Sequence, residues 1–282
     1  MSKILLISLF FLSLFSCGQL VRTPASLKEK KHVVFDIDWT ITSEVNPEFI
    51  GTRIIEVEGK KYFVHDAIEQ FVEELLQKKG MTISFFSGGS SSRNHSLLRQ
   101  IKLSDGRSLE DIAYKILNRE DLTIVESALP SNKFSLRFKK DLKKITTDLS
   151  NLVMIEDTLH FVLNQNQEEH VLFIGKTFQH FEKFSDAKHS TGEYIPRSEG
   201  EWSLARKKLL VLNSAFNAAY TETEQSGMSW SEAIKIQEAQ LDFSSGEWND
   251  YSRMMYKNSQ SFKPIESTTC SRIFSEFIQI NK

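Results

Sequence analysis

His32–Thr42 reads HVVFDIDWTIT. Val33-Val34-Phe35 is a continuous apolar run, as a central parallel strand requires when both its faces are covered. The run ends in two aspartates one residue apart, Asp36 and Asp38, with Thr40 two further on. In open α/β sheets ligands gather outside the carboxyl ends of the strands. Two carboxylates delivered to one such place repel in a low dielectric and need a cation or a shared proton to coexist. A polar turn that only caps a helix would also favour aspartate. The rest of the chain decides between the two.

Two more segments repeat the pattern. Met81–Phe86 (MTISFF) is an apolar strand ending in Ser87-Gly88-Gly89, and Asn151–Ile155 (NLVMI) ends in Glu156-Asp157-Thr158. Glycines directly after a strand let backbone N–H groups approach an anion, and a helix starting near Ser90 adds its dipole. Between these strands lies KKDLKKI, Lys139–Ile145, read as a helix.

Asp36-Ile37-Asp38-Trp39-Thr40 resembles the DxDxT motif of the haloacid dehalogenase superfamily. Ser87, a lysine and the Glu156-Asp157 pair follow in the order of that family's other motifs. The layout resembles the carboxy-terminal-domain phosphatase branch most, and Lys140 fits the lysine best, with Lys139 and Lys143 as alternatives on the same segment. The resemblance covers residues 30 to 175 and implies a Rossmann-like three-layer α/β sandwich around a mostly parallel sheet. It implies Asp36 as nucleophile and Asp38 as general acid and base. It further implies Ser87 and Lys140 as catalytic partners, and substrate held by Thr40, Ser87, Gly88 and Lys140. A Mg²⁺ ion is expected on Asp36, Asp38 (through its backbone carbonyl), Glu156 and Asp157. Trp39 departs from the small or hydroxylated residue common at its position, and a ring there is expected to narrow the pocket.

The chemistry explains why these groups are wanted together. Carboxylate attack on a phosphoester gives an aspartyl-phosphate and splits hydrolysis into two easier steps. Nucleophile and substrate are both negative, so a hard cation with oxygen ligands suits the site. Phosphoryl transfer is otherwise positioning and charge stabilisation. The same residues would serve transfer to an alcohol instead of water.

The amino terminus carries a second signal. Lys3 precedes an apolar run, Ile4–Phe15, and then Ser16-Cys17-Gly18. A basic start and a dozen apolar residues make a secretory signal that is too short for a spanning helix. Leu14-Phe15-Ser16-Cys17 resembles a bacterial lipobox, which implies lipidation of Cys17 and an exported, membrane-anchored lipoprotein on the periplasmic or outer-membrane side. The expected organisation is a signal at residues 1–16, a tether at 17–31, a catalytic core at 32–178 and a helical extension at 179–282. Helices are expected within that extension from Ser198, over Trp230–Phe243, Glu247–Tyr256 and Thr268–Ile278.

Composition sets limits. The 282 residues include 21 Phe against 6 Tyr, which favours packed interior over a wet recognition surface. A net charge of −2 without a basic aromatic stripe gives no case for nucleic acid. Apart from Cys17 only Cys270 is available, so no disulfide can form once Cys17 is lipidated. Between the motifs, a hairpin around Glu58-Gly59-Lys60 and a helix within Asp66–Lys79 leave room for a small flap. The interval Ser90–Phe138, read as helices at Ser96–Leu103 and Leu109–Asn118, is too short for a large cap. An open site and a phosphorylated substrate of some size, or one borne on a polymer, are therefore expected. A non-catalytic lipoprotein that keeps the fold as a binding or assembly module is the alternative, but it needs neither Asp36 nor Asp38.

Overall fold

Five strands form one parallel sheet: β1 (Lys31–Phe35), β5 (Met81–Phe86), β6 (Lys115–Leu117), β9 (Leu152–Glu156) and β10 (Val171–Phe173), in the order β10-β9-β1-β5-β6. The computed structural model describes residues 30–48, 52–158, 161–175, 183–187, 195–243 and 247–261. The chain divides into two units, Met1–Lys30 and Lys31–Lys282, and all but Lys30 of the first lies outside the described residues. The lipobox at Cys17, Cys270 and the helix expected at Thr268–Ile278 lie outside them too. No helix of the described residues is long and apolar enough to cross a membrane.

The apolar run of β1 is central, as its composition requires: Val33, Val34 and Phe35 are all fully buried. Successive residues face opposite sides of the sheet. Val33, Phe35, Ile83, Phe85, Val153 and Ile155 pack on one face, and Val34, Phe86, Leu152 and Met154 on the other. The second face is closed by short pieces, among them Leu122, Leu142, Ile145 and Val162, so that layer is thin.

The first face carries the helices Ile68–Leu76, Ser91–Gln100, Glu199–Ser226 and Trp230–Glu238. A run of aromatic pairs ties the carboxy-terminal helices to the sheet. Phe35 meets Phe71 edge-on at 5.4 Å, Phe71 meets Phe216 at 5.1 Å, and Phe216 meets Trp230 at 5.5 Å. Each such pair contributes about 0.5–1.5 kcal/mol beyond its buried area. Ion pairs reinforce the seam, with Arg206 to Asp66 at 2.6 Å, and Asn217 Nδ2 donates to Glu74 Oε2 at 2.6 Å. The extension expected from residue 179 thus shares one core with the sheet. Asp250–Ser259 adds a last helix, packed against Glu199–Ser226 through Met255 beside Val211 and Ala215.

A separate three-stranded antiparallel sheet, β2 (Thr42–Val45), β3 (Ile54–Val57) and β4 (Lys60–Val64), in the order β2-β4-β3, forms the flap. Glu58 and Gly59 take φ of 53° and 74°, the left-handed pair that a two-residue hairpin turn demands. The strand β2 is an addition to the expected hairpin, since TSEV is too short and polar to read as one. Its role is to anchor the first motif. His65 Nδ1 bonds Thr40 O at 2.8 Å, which leaves Nε2 to accept from Ser43 Oγ at 2.6 Å.

Two expectations fail locally. Leu109–Asn118 is not one helix: a single turn, Leu109–Ile112, capped by Ser108, gives way to β6. KKDLKKI is not a helix either. Phe138–Lys139 forms the short strand β8, paired with β7 (Thr123–Ile124), and Leu142–Lys144 is a 3₁₀ turn capped by the Asp141 side chain. Lys140 lies between them in a parallel bridge to Val162. Local helix propensity has yielded to the ladder bonds Lys140 N→Phe161 O and Leu163 N→Lys140 O, both 2.9 Å.

Lys208, on the long carboxy-terminal helix, is buried and donates to Ile174 O at 2.6 Å. Burial depresses its ammonium from 10.5 to about 7, against the pull of Glu201 and Asp157. Between pH 7 and 10.5 the unfolded chain therefore binds the extra proton, and stability rises with pH. Lys208→Met is expected to be more stable than the natural protein below pH 7. That advantage should shrink by about 1.4 kcal/mol per pH unit up to 10.5. Denaturant unfolding at several pH values checks this; a constant difference between the two proteins would refute it.

Candidate active site

The three polar strand ends converge because β1, β5 and β9 are adjacent and parallel. Asp36 leaves β1 with its N–H still bonded to Ile155 O at 3.0 Å. The chain then turns sharply. Ile41 N and Thr42 N both return to Ile37 O, and Trp39 adopts φ 61°. A bulky residue in the left-handed region costs on the order of 1–3 kcal/mol, which the surrounding bonds must hold. The turn sends the two aspartates to different partners.

Asp36 faces inward. Lys140 Nζ lies 2.6 Å from Asp36 Oδ1 and 2.6 Å from Glu156 Oε2, with all three side chains nearly or wholly inaccessible. The Phe161 ring closes over the ammonium at 4.7 Å. Carboxylate oxygens of Asp36, Glu156 and Asp157 all lie within 4.8 Å of one another. Three carboxylates surround one ammonium, so the fully ionised cluster carries two uncompensated negative charges. The titration behaviour reflects that surplus. Burial alone would lower the Lys140 ammonium, yet Asp36 and Glu156 outweigh it and push it up to about 12. Burial raises the Asp36 carboxyl well above its usual range, with Glu156 adding to the rise. Burial likewise carries Glu156 and Asp157 up to about 7. Lys140 stays charged, and the misfit falls on the acids.

Asp38 faces outward. Ser87 Oγ donates to Asp38 Oδ2 at 2.9 Å and accepts from Gly89 N at 3.0 Å, and Arg93 Nη2 reaches the same Oδ2 at 2.6 Å. The Asp38 carboxylate is thus not part of the acidic cluster. Thr40, expected at the substrate, is fully buried and does not line the cleft. Ser87 and Lys140 are fully buried as well, beneath the residues that do.

The cleft above the cluster has a volume of about 280 Å³ and is lined by Asp36, Asp38, Trp39, Gly88, Gly89, Arg93, Arg119, Phe134, Glu156, Asp157, Thr158 and Phe161. Trp39 therefore forms part of the wall, as its size implied. Two arginines escaped the sequence reading. Arg119 follows β6, and its Nε donates to Gly88 O at 2.9 Å. The strand-end rule finds it once KIL is read as a strand and not as the end of a helix. Arg93, six residues after Ser87, carried no comparable signal.

No curated protein matches the chain. Among solved structures, that of Fcp1, an essential RNA polymerase II CTD phosphatase, aligns with a TM-score of 0.42 at 12% identity, over 73% of this chain and 70% of that one. An Arg-to-Ala variant of the fission yeast RNA polymerase II CTD phosphatase Fcp1 bound to beryllium fluoride aligns with a TM-score of 0.37 at 14% identity. That alignment covers 83% of this chain and 62% of that one, less than two thirds of its length. The family model of the NLI interacting factor-like phosphatases matches residues 31–188, which takes in β1, β5, β9 and every strand end described above. The chain belongs to that family, a branch of the haloacid dehalogenase superfamily, and is a phosphatase of that type.

Proposed function

We propose that this phosphatase is a Mg²⁺-dependent phosphomonoesterase that works through an aspartyl-phosphate on Asp36, and that it is exported and held at a membrane by a lipid on Cys17. The observation that carries the catalytic part is the buried cluster of Asp36, Glu156 and Asp157 around Lys140, two negative charges in excess. The donor set fits Mg²⁺, being all carboxylate oxygen with no sulfur or imidazole within the cluster. Asp36, Asp157 and Glu156 would hold the ion, with the Asp38 backbone carbonyl beside them. Bound there, Mg²⁺ would offset the repulsion between a phosphoryl dianion and the attacking carboxylate.

The chain's own groups supply the rest. Asp36 attacks phosphorus while the bond from phosphorus to the leaving oxygen breaks. Asp38 gives that oxygen a proton, and the alcohol departs. Asp38 then takes a proton from a water that attacks the aspartyl-phosphate, releasing phosphate and restoring Asp36. Lys140 orients Asp36 and balances part of its charge, Arg119 and Gly88 line the cleft where the phosphoryl group would sit, and Ser87 lies beneath them and holds Asp38. A phosphoester borne on a larger molecule suits this cleft. Exposed Phe134 stands in its wall and offers apolar contact to flanking groups. Tethering rests on Lys3, the apolar run Ile4–Phe15 and Ser16-Cys17; the several acyl chains of a lipoprotein cysteine would anchor it stably.

Asp36→Asn is expected to abolish turnover of phosphomonoesters without loss of stability in the absence of Mg²⁺, because the amide removes one ionised group from an over-acidic cluster. Beryllofluoride should add to Asp36 in the natural protein and not in the variant. Chelation should stop turnover, and Mg²⁺ at a hundred times its Kd should stabilise the natural protein by about 2.7 kcal/mol. Turnover by Asp36→Asn, or in thoroughly chelated enzyme, would end this reading.

Lys140→Ala removes the cation that bridges buried Asp36 and Glu156 and should cost about 3–5 kcal/mol of stability besides cutting turnover at least about a hundredfold. Lys139→Ala and Lys143→Ala, which touch neither acid, should each change turnover by less than about tenfold. Melting curves and kcat for the three variants test this ranking.

Cys17→Ser should move the protein from the membrane fraction to a soluble or unprocessed form. Unchanged fractionation would exclude the anchor.

A further inference from the structure

Arg93 is the third residue of the helix Ser91–Gln100, where a long cationic side chain would ordinarily reach for water. It folds back instead across Gly89. Its Nη2 contacts Asp38 Oδ2 at 2.6 Å, Ser87 Oγ at 3.3 Å and Asn94 Oδ1 at 2.9 Å. Asn94 is fully buried and is itself fixed, its Nδ2 donating to Gly89 O at 3.1 Å and to Asn118 Oδ1 at 2.9 Å. Tyr62 of the flap lies on another side, its ring centre 5.9 Å from the guanidinium carbon. The space is made by one residue. A Cβ on Gly89 would stand 2.3 Å from Arg93 Nη2 and 2.5 Å from its Cζ, so any side chain there displaces the guanidinium. Gly89 is thus required less for an approaching anion than for Arg93.

Both donors, Ser87 and Arg93, address one oxygen of Asp38. Among the described residues Oδ1 takes no hydrogen bond, while Asp38 lines the cleft. A carboxyl group held this way by Oδ2 cannot rotate freely and can carry a proton on Oδ1 without losing either bond.

We propose that Arg93, seated over Gly89 and braced by Asn94, is the positioning residue for Asp38, holding Oδ2 so that Oδ1 delivers the proton to the leaving group. The proposal rests on the reading of Asp38 as general acid. In the step concerned the Oδ1–H bond breaks as an O–H bond forms on the leaving oxygen. The phosphorus–oxygen bond breaks as Asp36 bonds to phosphorus, and Asp38 is left as a carboxylate pinned by Arg93 and Ser87. It is then placed to accept the proton of the attacking water. Arg93 itself neither gains nor loses a proton.

The test compares two substrates of the full-length protein with Mg²⁺ present. p-Nitrophenyl phosphate has a leaving group that departs without protonation, whereas an alkyl phosphate such as ethyl phosphate needs the proton. Asp38→Asn sets the scale: it should lose far more kcat/KM, which reports only the steps through phosphorylation of Asp36, on the alkyl ester than on the aryl ester, general acid catalysis contributing about 10²–10⁴-fold. Arg93→Gln and Gly89→Ala should reproduce that pattern in weaker form. Their loss of kcat/KM should be at least about tenfold greater on the alkyl ester than on the aryl ester. Arg93→Lys, which keeps one donor for Oδ2, should recover part of the loss. Equal losses on the two esters, or no loss, would overturn the role of Arg93 while Asp38→Asn still shows the contrast. Absence of the contrast in Asp38→Asn, or natural protein inactive on both esters, would instead overturn the acid reading, and this proposal with it.

Discussion

The arrangement depends on one unbalanced interaction: a single buried ammonium, Lys140, shared at 2.6 Å by Asp36 and Glu156, with a third acid, Asp157, close by. Buried charges are tolerated when paired and become costly when the pairing is incomplete. Here pairing is incomplete by construction, and the cost appears as acids pushed well above their usual range while the lysine is pushed up to about 12. A cluster built only for stability would balance its charges. An excess of two negative charges at the carboxyl ends of two adjacent strands, β1 and β9, stores an affinity for a divalent cation, and the metal proposed for the site follows from that excess.

Such a cluster demands a stiff frame, since carboxylates free to move apart would relieve the strain. The frame is apolar. Phe35 lies directly before Asp36, and its ring is locked by Phe71, which is locked in turn by Phe216 and Trp230. The carboxy-terminal helices, far from the motifs in sequence, therefore brace the strand that bears the first aspartate. On the second face Leu142 and Ile145 hold the segment that carries Lys140. Glu156 ends β9, paired on one side with β1 and on the other with β10.

The parts of this frame that were legible from sequence share one property. The strands β1, β5 and β9 are continuous apolar runs, each closed by a polar residue, and burial on both faces permits little else. The hairpin turn at Glu58-Gly59 and the helix of the long extension were legible through turn and periodicity signals of equal strength. What was not legible depends on distant partners. KKDLKKI has the composition of a solvated helix, yet Lys140 is drawn into an extended bridge because its ammonium must reach Asp36, over a hundred residues earlier. The strand β6 has only three residues, none fully buried, so periodicity cannot separate it from a helix, and with it went Arg119. The position of Arg93 depends on the absence of a side chain at Gly89. A glycine after a strand carries the same letter whether it receives an anion or an arginine.

One short turn gives two identical side chains opposite surroundings. Asp36 and Asp38 are two residues apart, and on a continuing strand they would face the same side. The chain leaves the strand after Phe35, and the left-handed Trp39 with the doubled return to Ile37 O rotates Asp38 outward. Asp36 then meets a lysine and two acids in a dry interior. Asp38 meets a serine and an arginine, with over a third of its side chain exposed. Pairs of carboxyl groups whose surroundings diverge are how acid–base and nucleophilic roles are divided within one site. The backbone strain at Trp39 is the local cost of giving the two aspartates different surroundings. It is held in place by His65, which ties the Thr40 carbonyl to Ser43 of the flap. The flap thus does more than border the cleft: it keeps the turn from relaxing and the two aspartates from facing the same way.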